Sequence, residues 1–502
     1  MLATFFRQIS IRHLWPLTVT VGIFVFVNTH PIRPHDFWWH MAIGREIMRT
    51  GKIPTWDNYS YTMPGQLYPS YQMFWLPEVS LYEIYRLGGP ALVIFLHSLV
   101  ITSAYGVVLW LCWKASGSWR IAAVGVLFAV ALGLNDWNIR PQSVAFLLGA
   151  VYLLAIYSFR ESRRRGWLVV FPASMLVWAN SHGSFLIGLA LLGIWLADEL
   201  WRWVVSKINK DSETTASRIS APALSLSLAI LACFVNPRGA GIISYLRTLT
   251  GNPVVQNLVP EWAPPTFDSL LGTLFIIGFF LTATVLAVSP KRPGFFQIGT
   301  FFLFGLLGFR TSRGAVWFGM AIAPILAEHL STIAAGVTSL RKGKSPREGA
   351  RAINLIYLGL LIGLALVSLP WFKDRLPLPV VKAGLISSET PVKATQFLIA
   401  NHPPGFIFNE MSFGSYLIWA AQPDYPVFID PRIELYPAEI WREYLMVINA
   451  LPGWEERLEA YGVRTLMLDP QDQAELIKQV DRSANWRRLY ADEAAVIYTR
   501  QD

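Results

Sequence analysis

The densest group of side chains able to do chemistry follows the first apolar stretch of the sequence. Asp36 comes just after this stretch, and His40 follows four residues later, with Trp38 and Trp39 between them. A carboxylate at such a position can accept a proton from an attacking hydroxyl or bind a divalent cation. His40 shares a helix face with Asp36, where it either orients the carboxylate or simply lies in a membrane interface. The alternative role for Asp36 is to cap the helix predicted over 38–50.

A second group of polar side chains lies at the ends of later apolar stretches. The candidates for binding a phosphate group are Arg140, His182, Arg238, Arg310 and Arg313, with Asn180 as a further candidate. A guanidinium holds phosphate oxygens through two parallel hydrogen bonds. For these arginines the alternative is pairing with lipid headgroups, or with Asp136 and Glu261. Asp57 and Glu78 are additional acidic candidates, each equally compatible with a turn residue or a helix-end group.

The composition indicates that a membrane positions these residues. Of the 502 residues, 53% are hydrophobic and only 15% are charged, and the mean hydropathy is +0.40. A soluble domain carries about 25% charged residues, so much of this surface must face lipid. The composition excludes a disordered chain, a secreted disulfide scaffold and an ordinary cytosolic enzyme. The net charge of +9 comes without a basic stripe interleaved with aromatic residues, so we expect no nucleic-acid partner.

Eleven apolar stretches approach the roughly 20 residues needed to cross a bilayer. They are 12–29, 90–113, 120–134, 141–159, 167–180, 184–203, 220–235, 269–289, 295–309, 315–338 and 353–371. With the N-terminus inside, every inside connection carries Lys or Arg, whereas the outside turns near 135–140 and 180–183 carry one and none. This positive-inside pattern predicts a multi-pass protein of the cell membrane, in a bacterium the inner membrane, with a cytoplasmic N-terminus.

Two large segments are predicted on the outer side, the first outer loop (30–89) and the tail after Trp371. Within the tail, apolar runs typical of buried strands alternate with segments of helical spacing. The strand candidates are 406–408, 427–429 and 466–468, and the helix candidates are 391–401, 438–449, 454–461 and 471–480. The predicted fold is an all-α polytopic membrane domain of about 11 transmembrane helices over 1–371, including the first outer loop. A small extracytoplasmic α/β domain follows over 372–502.

Asp430, Pro431 and Arg432 follow the second strand candidate of the tail. The end of a strand in an α/β sheet is a usual place for a functional residue. An acid and an arginine two residues apart are also typical of a salt-bridged turn, which is the interpretation that we favour.

The arrangement resembles the GT-C superfamily, integral-membrane glycosyltransferases that use polyprenyl-phosphate sugars. The stretch 36–48, Asp-Phe-Trp-Trp-His-Met-Ala-Ile-Gly-Arg-Glu-Ile-Met, is similar to the first-loop motif of the protein mannosyltransferase and aminoarabinose transferase branch. The chain is closer still to a group of uncharacterised bacterial membrane proteins. The shared motifs are Arg140-Pro141-Gln142, Asn180-Ser181-His182-Gly183, Asn236-Pro237-Arg238-Gly239, Phe408-Asn409-Glu410 and Phe428 to Arg432.

The resemblance implies a chemistry. Asp36 matches the family's catalytic carboxylate, which deprotonates the acceptor or helps to hold a metal, so a divalent cation, if bound, would involve Asp36. The family often has a second acid directly afterwards, where this sequence has Phe37. The implied donor is a sugar on a polyprenyl phosphate lying among membrane lipids, and the acceptor is an unidentified glycan, lipid or protein. Arginines would offset the charge of the leaving phosphate.

Two other classes of function are compatible with the sequence. One is a non-catalytic polytopic protein, either a transporter or a scaffold for cell-surface polysaccharide assembly. Transporters typically have broken spans in related halves and ionisable residues at mid-membrane depth, whereas the polar residues here lie at outer span ends, which favours an enzyme. The other is an envelope polymerase or ligase that uses polyprenyl carriers, in which basic residues would matter more than Asp36.

Overall fold

A computed structural model describes residues 10–68, 70–209, 217–251, 260–340, 351–375 and 384–501. By its internal contacts the chain divides into two compact units. The helical unit comprises Met1–Thr29, Phe95–Ile242 and Val259–Phe372. The mixed unit comprises His30–Ile94, Ile243–Leu258 and Lys373–Asp502.

Helices occupy most of the described chain before residue 370. They are α1 (Ile11–Asn28), α2 (Phe37–Thr50), α3 (Tyr71–Ser116), α4 (Trp119–Gly133), α5 (Gln142–Ser162), α6 (Gly166–Ala179), α7 (Phe185–Ile208), α8 (Ser217–Cys233), α9 (Ile242–Gly251), α10 (Leu270–Val288), α11 (Phe295–Arg310), α12 (Gly314–Leu340) and α13 (Arg351–Val367). Helix α3 is interrupted at Gly88 and Gly89, where Gly89 has a φ of 63°. Glycine tolerates that left-handed conformation, and Pro90 disfavours helical geometry in the residue before it.

A helix lies at each of the eleven apolar stretches, because long apolar runs satisfy their backbone polar groups within a helix. In the described parts of the chain, six helical segments are long and apolar enough to cross a membrane. They are Ile11–Asn28, Tyr71–Ser116, Trp119–Asp136, Gln142–Ser162, Leu270–Val288 and Gly314–Gly336. The polytopic helical fold is therefore confirmed, whereas the number of 11 spans is not.

Glycines allow close helix packing in the helical unit. A Cβ atom added to Gly125 on α4 would lie 3.2 Å from the Ala323 carbonyl oxygen on α12. On the facing helix, a Cβ atom at Gly319 would lie 3.1 Å from the Ala129 Cα atom. Small residues of this kind let the backbones of membrane helices approach each other.

A fully buried aspartate joins three helices of the same unit at their predicted inner ends. Asp198 on α7 forms ion pairs with Arg160 of α5 (2.9 Å) and Arg202 (3.1 Å). It also accepts the backbone N–H of Phe296, near the start of α11 (3.2 Å). A buried carboxylate needs such partners to offset its lost hydration.

The mixed unit contains a four-stranded sheet flanked by short helices. Its tail elements are α14 (Val392–Asn401), β1 (Phe406–Asn409), α15 (Met411–Ala420), α16 (Ala438–Ile448), α17 (Trp454–Ala460), β2 (Val463–Leu468), α18 (Ala474–Arg482), β3 (Trp486–Ala491) and β4 (Val496–Arg500). The strand order is β1-β2-β4-β3. Strands β1 and β2 are parallel, and the other two pairs are antiparallel. Helix α15 begins after Glu410, whose carboxylate accepts the Phe413 N–H (3.0 Å), as an N-cap does.

Two of the three predicted strands and all four predicted helices of the tail are confirmed. The prediction of a strand at 427–429 is wrong. That segment pairs only through a bridge between Val427 and Ser60, with hydrogen bonds to the backbone of Tyr59 (2.9 Å) and Tyr61 (3.2 Å). The residues of this segment are fully buried, as expected of a strand. Its backbone, however, pairs with the first outer loop and not with the sheet.

The first outer loop and the tail share one hydrophobic core. Trp39 and Ile43 of α2 belong to the same buried cluster as Phe408 of β1 and Leu466 of β2. A hydrogen bond joins the two segments as well, because the backbone N–H of Trp39 donates to the side-chain Oγ atom of Ser415 (3.0 Å). The division into domains at 1–371 and 372–502 stays a prediction, while these contacts place α2 within the mixed unit.

Candidate active site

Asp36 lies at the start of α2 and is half-buried. Its φ and ψ of −62° and −28° are helical, and its side chain makes no capping hydrogen bond, whereas capping residues usually have extended backbone angles. Asp36 occupies the N-cap position of α2, but the structure shows no capping hydrogen bond from its carboxylate. Helix α2, predicted over 38–50, is confirmed over Phe37–Thr50, and Gly51, with a φ of 68°, ends it.

His40 lies one turn after Asp36 on α2 and is buried. Its Nδ1 atom lies 2.8 Å from the Oε1 atom of Glu78. The Trp39 ring lies over the imidazole with centroids 3.5 Å apart, and Phe74 contacts it edge-on at 5.4 Å. The ring is thus held by one hydrogen bond and two aromatic neighbours.

Glu78 is neither a turn residue nor a helix-end group. Glu78 lies inside α3 and is fully buried. Gly44 of α2 packs directly against it, since a Cβ atom at Gly44 would lie 2.2 Å from the Glu78 carbonyl oxygen. Within the mixed unit, α2 and the first part of α3 therefore bring His40 and Glu78 together.

Asp57 lies in a fully buried ionic network with Arg432. The Arg432 Nη1 atom donates to Asp57 Oδ1 (2.6 Å) and also to the Tyr71 hydroxyl. The Nε and Nη2 atoms donate to the two carboxylate oxygens of Asp430 at 2.8 and 2.6 Å. Asp57 Oδ2 accepts two hydrogen bonds from Ser60, at 3.0 Å from the backbone and 2.5 Å from the hydroxyl.

This network confirms that residues 430–432 form a salt-bridged turn. It also gives Asp57 a structural partner, because Arg432 needs both carboxylates to be buried without water. The Tyr436 hydroxyl donates to Asp430 as well. The sequence offered no signal for these tyrosine contacts. The chain has 18 tyrosines, and nothing in their spacing distinguishes Tyr71 and Tyr436, which bind Arg432 and Asp430.

In the helical unit, Glu261 joins two of the predicted phosphate-binding arginines. Arg140 donates to both carboxylate oxygens of Glu261 (3.2 and 3.1 Å) and to Asp136 (3.2 Å). The Nε atom of Arg313 donates to Glu261 at 2.5 Å. The alternative that these arginines pair with Asp136 and Glu261 is therefore present in the structure, and phosphate binding stays a prediction.

His182 belongs to the same cluster. Burial, together with the charges of Arg313 and Arg140, lowers the pKa of His182 to about 3, so its imidazole is neutral at pH 7. Its Nδ1 atom accepts the Ser184 N–H at 3.1 Å, which places the ring proton on Nε2. Burial alone raises the pKa of the Glu261 carboxyl, but Arg313 and Arg140 outweigh it and lower the pKa to about 2.

The other predicted phosphate ligands lie elsewhere on span ends of the helical unit. Asn180 donates to the carbonyl oxygens of Leu176 and Val235, each at 2.8 Å. Arg238 donates to the Gly241 carbonyl oxygen at 3.3 and 3.2 Å. Arg310, at the end of α11, is exposed. The structure thus brings Arg140 and Arg313 together at Glu261, with His182 within reach of the charges of both arginines.

The described residues include no preformed cluster of metal ligands. Over the six described ranges, no group of three or more His, Cys, Asp and Glu side chains has the geometry to hold one. A divalent cation at Asp36 would therefore need water or donor phosphate oxygens as its other ligands, as is common for Mg²⁺.

Comparison with solved structures finds similarity over nearly the whole chain. The oligosaccharyltransferase of Archaeoglobus fulgidus in its apo form has a TM-score of 0.56 at 11% identity, covering 97% of this chain and 74% of that one. ArnT from Cupriavidus metallidurans bound to undecaprenyl phosphate has a TM-score of 0.51 at 12% identity, covering 97% of each chain. Both are GT-C glycosyltransferases. The chain has the GT-C fold.

The same GT-C fold is present in a much larger protein. The arabinofuranosyltransferase AftD from mycobacteria has a TM-score of 0.55 at 14% identity, covering 98% of this chain but 40% of that one. No family model and no curated protein matches the sequence. The resemblance drawn from the first-loop motif is thus confirmed at the level of the fold.

Proposed function

We propose that the protein is a glycosyltransferase that moves a sugar from a polyprenyl-phosphate donor to an acceptor on the outer face of the membrane. The observation that carries the proposal is the Asp36 carboxylate, half-buried and without a capping hydrogen bond, in a chain with the GT-C fold. The ArnT structure holds undecaprenyl phosphate, which supports a polyprenyl carrier as the partner. The acceptor is a glycan, a lipid or a protein hydroxyl.

In this proposal Asp36 is the general base. It takes the proton of an acceptor hydroxyl as the oxygen attacks the anomeric carbon of the donor sugar. The bond from that carbon to the phosphate oxygen breaks, and its electron pair leaves with the polyprenyl phosphate. Attack opposite the leaving group inverts the anomeric centre. His40, one turn along α2, assists Asp36.

The leaving phosphate is assigned to the arginines of the helical unit. Arg140 and Arg313 both bind the Glu261 carboxylate, and phosphate oxygens can bind guanidinium groups in the same way. We therefore propose that the donor phosphate displaces Glu261 from them. His182, whose pKa is lowered by burial and by the charges of both arginines, is proposed as a further phosphate ligand, and Arg238, Arg310 and Asn180 stay candidates for the same role.

The first test is replacement of Asp36 with Asn. Loss of the base should reduce sugar transfer by about 10²–10⁴-fold, while the protein still inserts and folds. The measurement is mass-spectrometric detection of glycosylated acceptor and released polyprenyl phosphate, with the full-length protein in nanodiscs, a panel of polyprenyl-phosphate sugars, and a membrane extract as the source of acceptor hydroxyls. Asp424→Asn is the matched control, because Asp424 is an exposed aspartate of the same unit. Transfer by Asp36→Asn at the rate of the control would contradict the proposal.

The second test is replacement of Glu261 with Gln. Without its negative charge the side chain competes less well for Arg140 and Arg313, so the affinity for undecaprenyl phosphate should rise by about tenfold. Native mass spectrometry of the protein in nanodiscs with added undecaprenyl phosphate measures this. Glu161→Gln is the control, because Glu161 pairs with Lys114 in an exposed contact and should leave the affinity unchanged. Equal affinity in both variants would rule out displacement of Glu261.

A further inference from the structure

We propose that Glu78 is a positioning residue that keeps the Nε2 atom of His40 protonated, as a hydrogen-bond donor on the helix that begins at Asp36. The inference rests on the proposed transferase function, in which His40 assists the base. Asp36 is the residue that would touch the acceptor, and Glu78 would act only through His40.

The first support is the confinement of the His40 ring. One ring nitrogen, Nδ1, is committed to the Glu78 carboxyl group at 2.8 Å. The Trp39 ring covers one face, and Phe74 contacts the imidazole edge-on. Both partners are buried, His40 at 4% relative exposure and Glu78 at 0%. Water therefore does not compete for the bond between them, and the ring keeps one orientation.

The second support is the rigidity of the backbone that carries the pair. Helices α2 and α3 touch at Gly44, where the Glu78 carbonyl oxygen occupies the space that a Cβ atom would need. A contact of this kind between two backbones does not adjust as a flexible side chain does. The distance between His40 and Glu78 is thus set by the helices.

The third support is the second oxygen of the Glu78 carboxyl group. The Oε2 atom is buried and accepts no hydrogen bond from the residues that the structure describes. An ionised carboxylate with one bare buried oxygen and a neutral histidine would leave an uncompensated charge, which is costly. The pair avoids that cost when it carries one more proton and no net charge.

That proton count decides what His40 presents to the site. A proton on Oε2 of Glu78 would have no acceptor among the described residues, so the net-neutral pair shares one proton in the bond between Nδ1 and Oε1 and carries its second proton on Nε2. This holds whether the shared proton lies nearer to the carboxyl group or to the imidazole. His40 therefore presents an N–H donor at Nε2, which is suited to orienting an anionic group such as a carboxylate.

Nuclear magnetic resonance of the full-length protein with ¹⁵N-labelled histidine, in nanodiscs, tests the proton positions directly. The His40 signals are identified by their loss in His40→Gln. In the wild-type protein we expect Nε2 to be protonated throughout pH 6 to 8. A wild-type spectrum in which His40 carries its proton only on Nδ1 would overturn the proposal without any variant at position 78.

Two substitutions separate positioning from packing. Glu78→Leu keeps a similar volume but removes the bond, so the His40 signals should become an average of both tautomers, and kcat should fall about tenfold with KM unchanged. Glu78→Gln can donate its amide N–H to Nδ1, so it should restore the Nε2 proton and most of kcat. Glu83→Leu is the control on the same helix, because Glu83 pairs with Arg86 outside the cluster.

The outcomes separate this inference from the proposed function. If Glu78→Leu leaves the His40 tautomer and kcat unchanged, Glu78 is not a positioning residue. If Glu78→Leu and Glu78→Gln lose kcat equally, the role of Glu78 is packing, and the inference is wrong. If Glu78 fixes the tautomer as expected but Asp36→Asn transfers sugar normally, the proposed base fails, and with it the positioning role of Glu78, while the proton position on His40 stands.

Discussion

The Arg432 guanidinium binds two carboxylates that have no exposure to solvent. Asp57 and Asp430 each have 0% side-chain exposure, as does Arg432 itself. The cation is therefore the main compensation for two buried negative charges. Its removal is expected to cost far more than the loss of a surface ion pair.

Replacing Arg432 with Met should lower the free energy of unfolding by about 3–5 kcal/mol, because both carboxylates lose their cation. Thermal unfolding of the purified full-length protein in detergent measures the effect as a fall in Tm. Arg442→Met is the control, since Arg442 forms an exposed pair with Glu439 and should change stability by no more than about 0.5 kcal/mol. Equal Tm values for both variants would mean that the buried network contributes little.

At this scale the sequence predicts the position of Asp36 at the start of a helix, but not the ion-pair partner of Asp57. Asp36 could be identified because its place after an apolar stretch and before a helix is a local feature. The partner of Asp57 lies 375 positions away, so no spacing rule connects the two residues. The same holds for Glu261, which sequence patterns suggest only as one of several partners for Arg140.

At the scale of elements, the contact between α2 and α3 depends on one glycine. Replacing Gly44 with Ala would place a Cβ atom 2.2 Å from a backbone oxygen of α3, so the two helices must separate. We expect a loss of about 1–3 kcal/mol, measured as a lower Tm of the full-length protein.

The control for this substitution is Gly106→Ala on α3, because a Cβ atom there meets nothing within 4 Å. That variant should be neutral or slightly more stable, since Ala is a better helix former than Gly. If the Gly44→Ala variant had the same Tm as the Gly106→Ala variant, the close approach of α2 and α3 would not contribute to stability.

The helices could be predicted from the sequence because long apolar stretches leave few alternatives. The structure of the short apolar runs in the tail was harder to predict. A run such as 427–429 is buried whether it forms a strand or packs against a loop. Strands β3 and β4 were missed. In β3 two neighbouring arginines, Arg487 and Arg488, are both exposed, which breaks the alternation expected of an amphipathic strand.

At the scale of the whole molecule, the number of membrane crossings determines which compartment holds the mixed unit. Eleven crossings place the two ends of the chain on opposite sides, whereas an even number returns them to the same side. The charge distribution favours the first arrangement with the N-terminus inside. The proposed transfer on the outer face depends on it.

A reporter fused after Asp502 distinguishes the two arrangements. In a bacterial host we expect an alkaline phosphatase fusion to be active and a green fluorescent protein fusion to be dark, because the tail is predicted outside. Fusions after Arg163, in a predicted inside connection, should give the reverse result. Fluorescence of the fusion after Asp502 would place the tail, and the proposed transfer, on the cytoplasmic side.

The shared core of the mixed unit has a consequence for biosynthesis. Trp39 and Ser415 form a hydrogen bond although they lie 376 positions apart in the sequence. Ribosomes add about 5–20 residues per second, so Ser415 is made roughly 20–75 s after Trp39. During that delay the apolar face of α2 has none of its native tail contacts. Holding chaperones in the destination compartment would then determine how much of the newly made chain matures.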